Sequence, residues 1–565
     1  VPRGTLTTFL TLFHVEQNIN IMEKSFVVSG KVVDLFQRKI FNADVIVRDG
    51  RIEKIKESEN EYEKYILPGF VDSHVHIESS MLIPSNFARI AVAHGTVATV
   101  SDPHEIANVM GVEGVHFMIQ NGKKVPFKFY FGAPSCVPAT PFESSGAVID
   151  SQKIKQLLDN EDVCFLAEMM NFPGVINNDT EVLQKIKFAH QAGKPVDGHA
   201  PGLSGEGLKK YAAQKISTDH ECSTLKEAEE KIKQGMKIQI REGSAAKNFD
   251  NLFPLIHSNP DKIMFCTDDC HPDDLIKGHI NKIVARAIAN GGDFFDVLRA
   301  AIMNPVKHYG LNVGLLQPGD PADFIVTSDL VHFNIGKTYI EGRVVFDNGK
   351  PQFPFVNENA ANRFNAQKIE INDIAIKAKQ NKVNVIVAKD GDLFTEKEVM
   401  KANIKNQEIV ADVNNDILKI VVVNRYTTEQ PVVGLIKNFN LKKGAIAGSI
   451  AHDSHNIIAI GTNDEDIVNA INTIIDTKGG IVACDNDDME MLPLDVAGLM
   501  SREEAEQVAK KYVKVSQKAK AFGSKLNAPF MTMAFMALLV IPELKIGDKG
   551  LFDVSKLEFT SLFNE

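Results

Sequence analysis

The chain has 565 residues, 44% apolar and 24% charged, which describes a globular protein too long for one ordinary core. Its formal net charge of -11 excludes a nucleic-acid backbone as the main partner, since that requires a basic footprint, and leaves a small neutral or cationic molecule as the fitting ligand. Six cysteines without a C-x-x-C pair exclude a disulfide framework and point to a reducing compartment, the cytoplasm by default.

In chain order, MEKSFVVSGKVVD from Met22 reads as a natural start, so residues 1–21 are expected to be an upstream extension or a cloning remnant. The TLTTFLTLF run within them has no small-residue cleavage signal after it, which argues against a signal peptide. FVVSGKVVD and ADVIVRDGRIEKI follow as β segments, with Asp49-Gly50 as a tight hairpin signal. The same style returns over Asp320 to Lys350, so 22–67 and 313–360 are expected to join as a composite β-sandwich domain. Between them, over 68–312, apolar β runs such as GTVATVSD, CFLAEMM, KPVDGHAPG and KIMFCTDD alternate with helical stretches, the pattern of an α/β chain closed into a (β/α)8 TIM-like barrel. An additional C-terminal α/β domain is expected over 361–565. Within it, SREEAEQVAKKYVKVSQKAK reads as a solvated amphipathic helix. APFMTMAFMALLVIP, from Ala528 to Pro542, is shorter than the ~20 residues a membrane span needs and reads as a buried core segment.

Within the barrel, polar residues recur at the C-terminal ends of the apolar runs, the rim where barrel enzymes place their reactive groups. His74 and His76 in PGFVDSHVHIESS lie two apart, so on a strand both point to one face. A lone H-x-H is more often structural. With Glu168 in FLAEMMN, His199 in VDGHAPG, His220 in STDHECS and Asp268 in FCTDDC, however, six nitrogen and oxygen donors fall in one register, a suitable shell for two divalent metals. Glu78, Asp102, His104, Glu105, Glu221 and Asp269 flank these positions, either to bind substrate or to orient a ligand. Cys266 and Cys270 read as buried thiols. His452, Asp453 and His455 in AHDSHNI form either a second metal-like cluster, a loop reaching the barrel mouth, or a turn held by Asp and Ser hydrogen bonds.

The blocks PGFVDSHVHIESS, SDPHEIANVMG, AEMMNFPGV, DGHAPGLSG, TDHECST and CTDDCHPDDL, with the later SIAHDSHNIIAIG, resemble the metal-dependent amidohydrolase superfamily in its adenine deaminase branch, from Met22 to the end. The resemblance implies metal ligation by His74, His76, His199, His220 and Asp268, with Glu168 as bridging carboxylate. Many superfamily members carry a carboxylated lysine there, and FLAEMMN has none. It further implies a binuclear Mn(II) or Fe(II) centre, with Zn(II) as an alternative, and hydrolysis of adenine to hypoxanthine and ammonia for purine salvage, with Asp268 relaying the proton. A homodimer is the common prior for such a chain.

Three rivals are weighed. The zinc deaminase pattern of H-x-E followed by P-C-x-x-C is met by His76-Ile77-Glu78 but not by any later P-C-x-x-C. Another amidohydrolase, cleaving a cyclic amide, is disfavoured by Glu168. A scaffold protein that has lost its metals would lack some donors, and all six are filled.

Overall fold

The computed structural model describes residues 25–244 and 246–564, so the expected extension at 1–21 lies outside the described residues. β1 (Ser25–Asp34) and β2 (Lys39–Arg48) pair antiparallel over their whole lengths. Asp49 and Gly50 then turn the chain with φ of 48° and 77°, the left-handed pair that an Asp-Gly hairpin turn adopts. β3 (Arg51–Glu57) returns along β2. β4 (Tyr65–Pro68) runs parallel to β1 on one side and antiparallel to Phe324–Thr327 on the other. Through β4 the two ends of the barrel segment are therefore stitched into one continuous eight-stranded sheet that extends to Lys350–Pro351. Its buried face carries Val32, Val45, Val47, Ile66 and Phe324.

The barrel has eight parallel strands. β5 (Phe70–Val75), β6 (Thr96–Ser101), β7 (Lys128–Ala133), β8 (Val163–Met169) and β9 (Val196–Gly198) form one run. β10 (Thr218–Asp219), β11 (Lys237–Arg241) and β12 (Ile263–Cys266) form the other. A parallel bridge between Val196 and Ile216 joins the runs, and one between Val75 and Asp268 closes the circle. β5 and β6 are buried along their whole length, as strands covered on both faces must be, so the polar residues of FVDSHV and TVATVS are buried together with the apolar ones. Gly198 shows how tightly the wall is drawn: a Cβ there would stand 2.3 Å from the Thr218 carbonyl oxygen of the neighbouring strand.

The C-terminal domain is built on a second eight-stranded sheet whose residues alternate between two cores. Val421, Ala445 and Ala447 face the helix Asp464–Thr477, packing on Ile467, Ala470 and Ile471. Ile420, Val422 and Ile446 share a core with Val508, Tyr512 and Val515 of the helix Ala505–Ala521. That second core continues into Met81, Leu82 and Ile83 of the barrel, so the charged helix is solvated on one side only. Tyr512 Oη lies 2.5 Å from Nδ1 of His271, and Asn86 Nδ2 donates to the Glu503 carbonyl at 2.8 Å. No helix among the described residues is long and apolar enough to cross a membrane.

Asp72 of β5 is buried at the closing seam, where its carboxylate accepts from the Thr267 amide at 3.1 Å and from the Thr267 hydroxyl. His279 Nε2 stands 3.0 Å from the same carboxylate. Removing a buried acceptor leaves its donors without partners, which costs more than the bonds themselves contribute. Asp72→Ala is therefore expected to destabilise the barrel by about 3 kcal/mol. Denaturant unfolding followed by circular dichroism measures this, and an unchanged midpoint would remove Asp72 from the closure.

Candidate metal-dependent active site

All six donors named from the sequence stand at the C-terminal rim. His74 is the penultimate residue of β5, turned inward by alternation, and His76 follows the strand. Glu168 sits near the end of β8, while His199 and His220 directly follow β9 and β10. Asp268 comes two residues after β12 with φ of 54°, a left-handed conformation uncommon outside glycine. The seam holds it there: its amide donates to the His74 carbonyl at 2.9 Å, and its carbonyl accepts from the His76 amide at 3.2 Å.

The donor atoms form two triangles. In one, His74 Nε2 and His76 Nε2 are 3.2 Å apart, and Asp268 Oδ1 is 3.5 Å from the first and 3.0 Å from the second. In the other, Glu168 Oε2 is 2.9 Å from His199 Nδ1 and 3.0 Å from His220 Nε2. Glu168 joins them, because its Oε1 turns to His76 at 3.6 Å. Metal–nitrogen and metal–oxygen bonds of about 2.1 Å put neighbouring donors about 3.0 Å apart in an octahedron and about 3.4 Å apart in a tetrahedron. The observed separations match the edges of such shells, so the donor set fits two divalent cations sharing Glu168. The outer nitrogen of His76, Nδ1, donates to the Asp102 carbonyl at 3.1 Å, which leaves the Nε2 lone pair facing inward.

The electrostatics agree with ionised carboxylates at the centre. Burial pushes the Glu168 carboxyl up, but the imidazoles of His199 and His220 outweigh it and hold it well below the usual range. Asp268 is likewise raised by burial and then lowered further by the Arg241 guanidinium and by His74 and His76, ending well below its ordinary value.

Two family models match the chain: the amidohydrolase family over residues 65–345 and the adenine deaminase C-terminal domain over 392–558. An adenine deaminase of Methanosarcina mazei is 54% identical over 547 residues, covering 94% of this chain and 99% of the relative. One of Salinibacter ruber is 51% identical over 544 residues, covering 96% and 100%. The chain belongs to the adenine deaminase family. A solved β-aspartyl dipeptidase from Fervidobacterium islandicum AW-1 aligns with 57% of this chain and 97% of its own at 16% identity and a TM-score of 0.44.

In this adenine deaminase family member the flanking residues divide. His104 stands beside the donor set, its Nδ1 3.3 Å from Glu168 Oε1 and 3.2 Å from Asp102 Oδ2. Asp102 lies behind it, and Glu221 and Asp269 line the cavity. Glu78 does not reach the cavity: its Oε1 accepts the Ile106 amide at 3.2 Å, and burial together with the Glu105 carboxylate raises its pKa to about 8. Cys266 and Cys270 are buried free thiols. His452 and Asp453 reach the barrel mouth and line the cavity, whereas His455 is buried behind them.

The sequence reading passed over Arg241, the last residue of β11. Its guanidinium is 7% exposed and bridges Glu221 and Asp268, the latter at 2.5 Å. The available signal was position, since KIQIR ends on a charge at the rim, where His, Glu or Asp stands at or just beyond the ends of β5, β8, β9, β10 and β12. Arg241→Met is expected to lower turnover at least ~100-fold, about 3 kcal/mol, because it leaves two buried carboxylates without their cation. Steady-state kinetics on the metal-loaded variant measure this, and turnover within a few fold of wild type would make the bridge structural.

Proposed function

We propose that this adenine deaminase family member hydrolyses adenine to hypoxanthine and ammonia, serving purine salvage in the cytoplasm. The observation that carries the reading is Glu168, whose two oxygens face the two donor triangles where other amidohydrolases have a carboxylated lysine. The full-length likeness to proteins named adenine deaminase supports the choice of substrate.

His74, His76, Asp268, His199 and His220, with Glu168 between them, would hold the two cations. Mn(II) and Fe(II) suit the nitrogen and oxygen donors, as does Zn(II). Bound there, such a pair lowers the pKa of water so that hydroxide is present at neutral pH. The residues of the chain do the rest. Asp268 has one oxygen toward His76 and the other held by Arg241, which fixes its carboxylate beside the attacked carbon. It takes one proton from the water as the oxygen adds to C6 and delivers it to the purine ring nitrogen, then takes the remaining hydroxyl proton of the tetrahedral centre and delivers it to the departing amino group, leaving C6=O. The C6–N bond breaks, ammonia leaves and the oxygen stays on the ring. Glu221 keeps Arg241 in place from its other side.

A cyclic-amide hydrolase is the weaker reading because Glu168 replaces the lysine, and a scaffold is weaker still because no donor is missing. Metal-reconstituted protein incubated with adenine, adenosine, cytosine and dihydroorotate is expected to release ammonia from adenine alone, with the ultraviolet change of hypoxanthine formation. Activity on adenosine without activity on adenine would overturn the assignment. Glu168→Gln is expected to bind fewer than two metals per chain by mass-spectrometric metal analysis, and two retained metals would contradict the bridging role.

A further inference from the structure

The barrel rim makes only half of the cavity at the donor set. The facing wall is built by the C-terminal domain from Leu393, His452, Asp453, Phe535, Leu538 and Ile541. The wall is apolar apart from the His452-Asp453 pair. The His452 ring lies flat on Phe535, with centroids 4.8 Å apart and planes 20° apart. Asp453 Oδ1 is 4.0 Å from Nε2 of His104, the residue whose other nitrogen faces Glu168.

The wall is braced from behind. The His452 amide donates to the Ala534 carbonyl at 3.2 Å, and Tyr426 Oη donates to the Ser454 carbonyl at 2.6 Å. Asn456 Nδ2 ties the loop to the barrel through the Ser144 carbonyl at 3.1 Å. Lys545, fully buried, donates from Nζ to the carbonyls of Leu393 at 2.7 Å and Phe535 at 3.0 Å, clamping two separate wall segments together. A binding surface fixed in this way loses little entropy when ligand enters.

We propose that the C-terminal domain is the substrate-recognition half of the active site, with the stacked Phe535 and His452 rings forming the surface against which a planar heteroaromatic base lies while Asp453 meets its edge. This rests on the adenine reading and adds which residues select the free base. A nucleoside would press its ribose hydroxyls onto Leu538 and Ile541, where they lose water without gaining partners. Phe535 and His452 are thus substrate contacts, and Lys545 is a positioning residue.

The test uses full-length, metal-reconstituted protein. Phe535→Ala is expected to raise KM for adenine about 5- to 100-fold, the range for removing an aromatic stacked on a base, with a smaller change in kcat and two metals still bound. Phe535→Leu keeps packing without the ring and is expected to shift KM in the same direction, so a folding failure of the alanine variant does not spoil the test. Phe535→Tyr is expected to restore the wild-type KM. His452→Ala is expected to lower kcat/KM for adenine at least ~10-fold without loss of metal, while losing one metal would make it a ligand and overturn the assignment. Unchanged kcat/KM in folded Phe535→Leu and His452→Ala would overturn the recognition wall alone. Wild-type protein that turns over no adenine would overturn the underlying reading as well.

Discussion

Closure of the barrel between β5 and β12 is the constraint on which the reactive centre depends. Asp72 pulls the segment after β12 against β5 through Thr267, and the next residue, Asp268, is forced into a left-handed conformation while its amide and carbonyl bond to the backbone of His74 and His76. Three of the six donors are therefore placed by one seam. The strain at Asp268 persists because the surrounding bonds over-determine it. A slip of one residue in this pairing would turn His74 and His76 away from the interior.

The second domain matters because a barrel rim alone is open to water. Its sheet shares a continuous apolar core with Met81, Leu82 and Ile83, which directly follow the H-x-H strand and its short turn. Packing of the C-terminal domain and position of the first two donors are thus mechanically linked. The wall opposite the donors covers one side of the cavity, and electrostatic interactions strengthen as the local dielectric falls. Arg241, between Glu221 and Asp268, works in that setting as a preorganised cation.

The barrel was legible because parallel strands buried on both faces print largely apolar runs, and because reactive groups fall at the same end of most of them. The Asp49-Gly50 hairpin was legible from its two residues. Asp72 was not, since an acid inside an apolar run declares itself only when Thr267 and His279 arrive from nearly two hundred residues away. Arg241 was hidden for the same reason: its partners come from other strands. The run from Ala528 to Pro542 read as core, and it is buried, yet hydrophobicity cannot separate burial against protein from burial against a ligand cavity, and Phe535 and Ile541 do the second. Glu78 illustrates the converse: sequence proximity leaves it either a substrate contact or a residue that orients a ligand, and in the fold its carboxylate accepts the Ile106 amide.

Charge balance explains why so many acids tolerate this site. Glu168, Asp268, Glu221, Glu105, Asp102 and Asp453 are all buried around the cavity, and Arg241 is the one permanent side-chain cation lining it among the described residues. Imidazoles offset the remaining negative charge when protonated, but a histidine that presents a lone pair to a cation is neutral. The divalent pair proposed above would supply four positive charges where these carboxylates converge, and Glu168 and Asp268, costly to bury alone, are the acids that would hold it. The same excess favours a neutral, flat base as ligand: it adds no further negative charge, and it meets the one side of the cavity, the Phe535 wall, that is largely apolar.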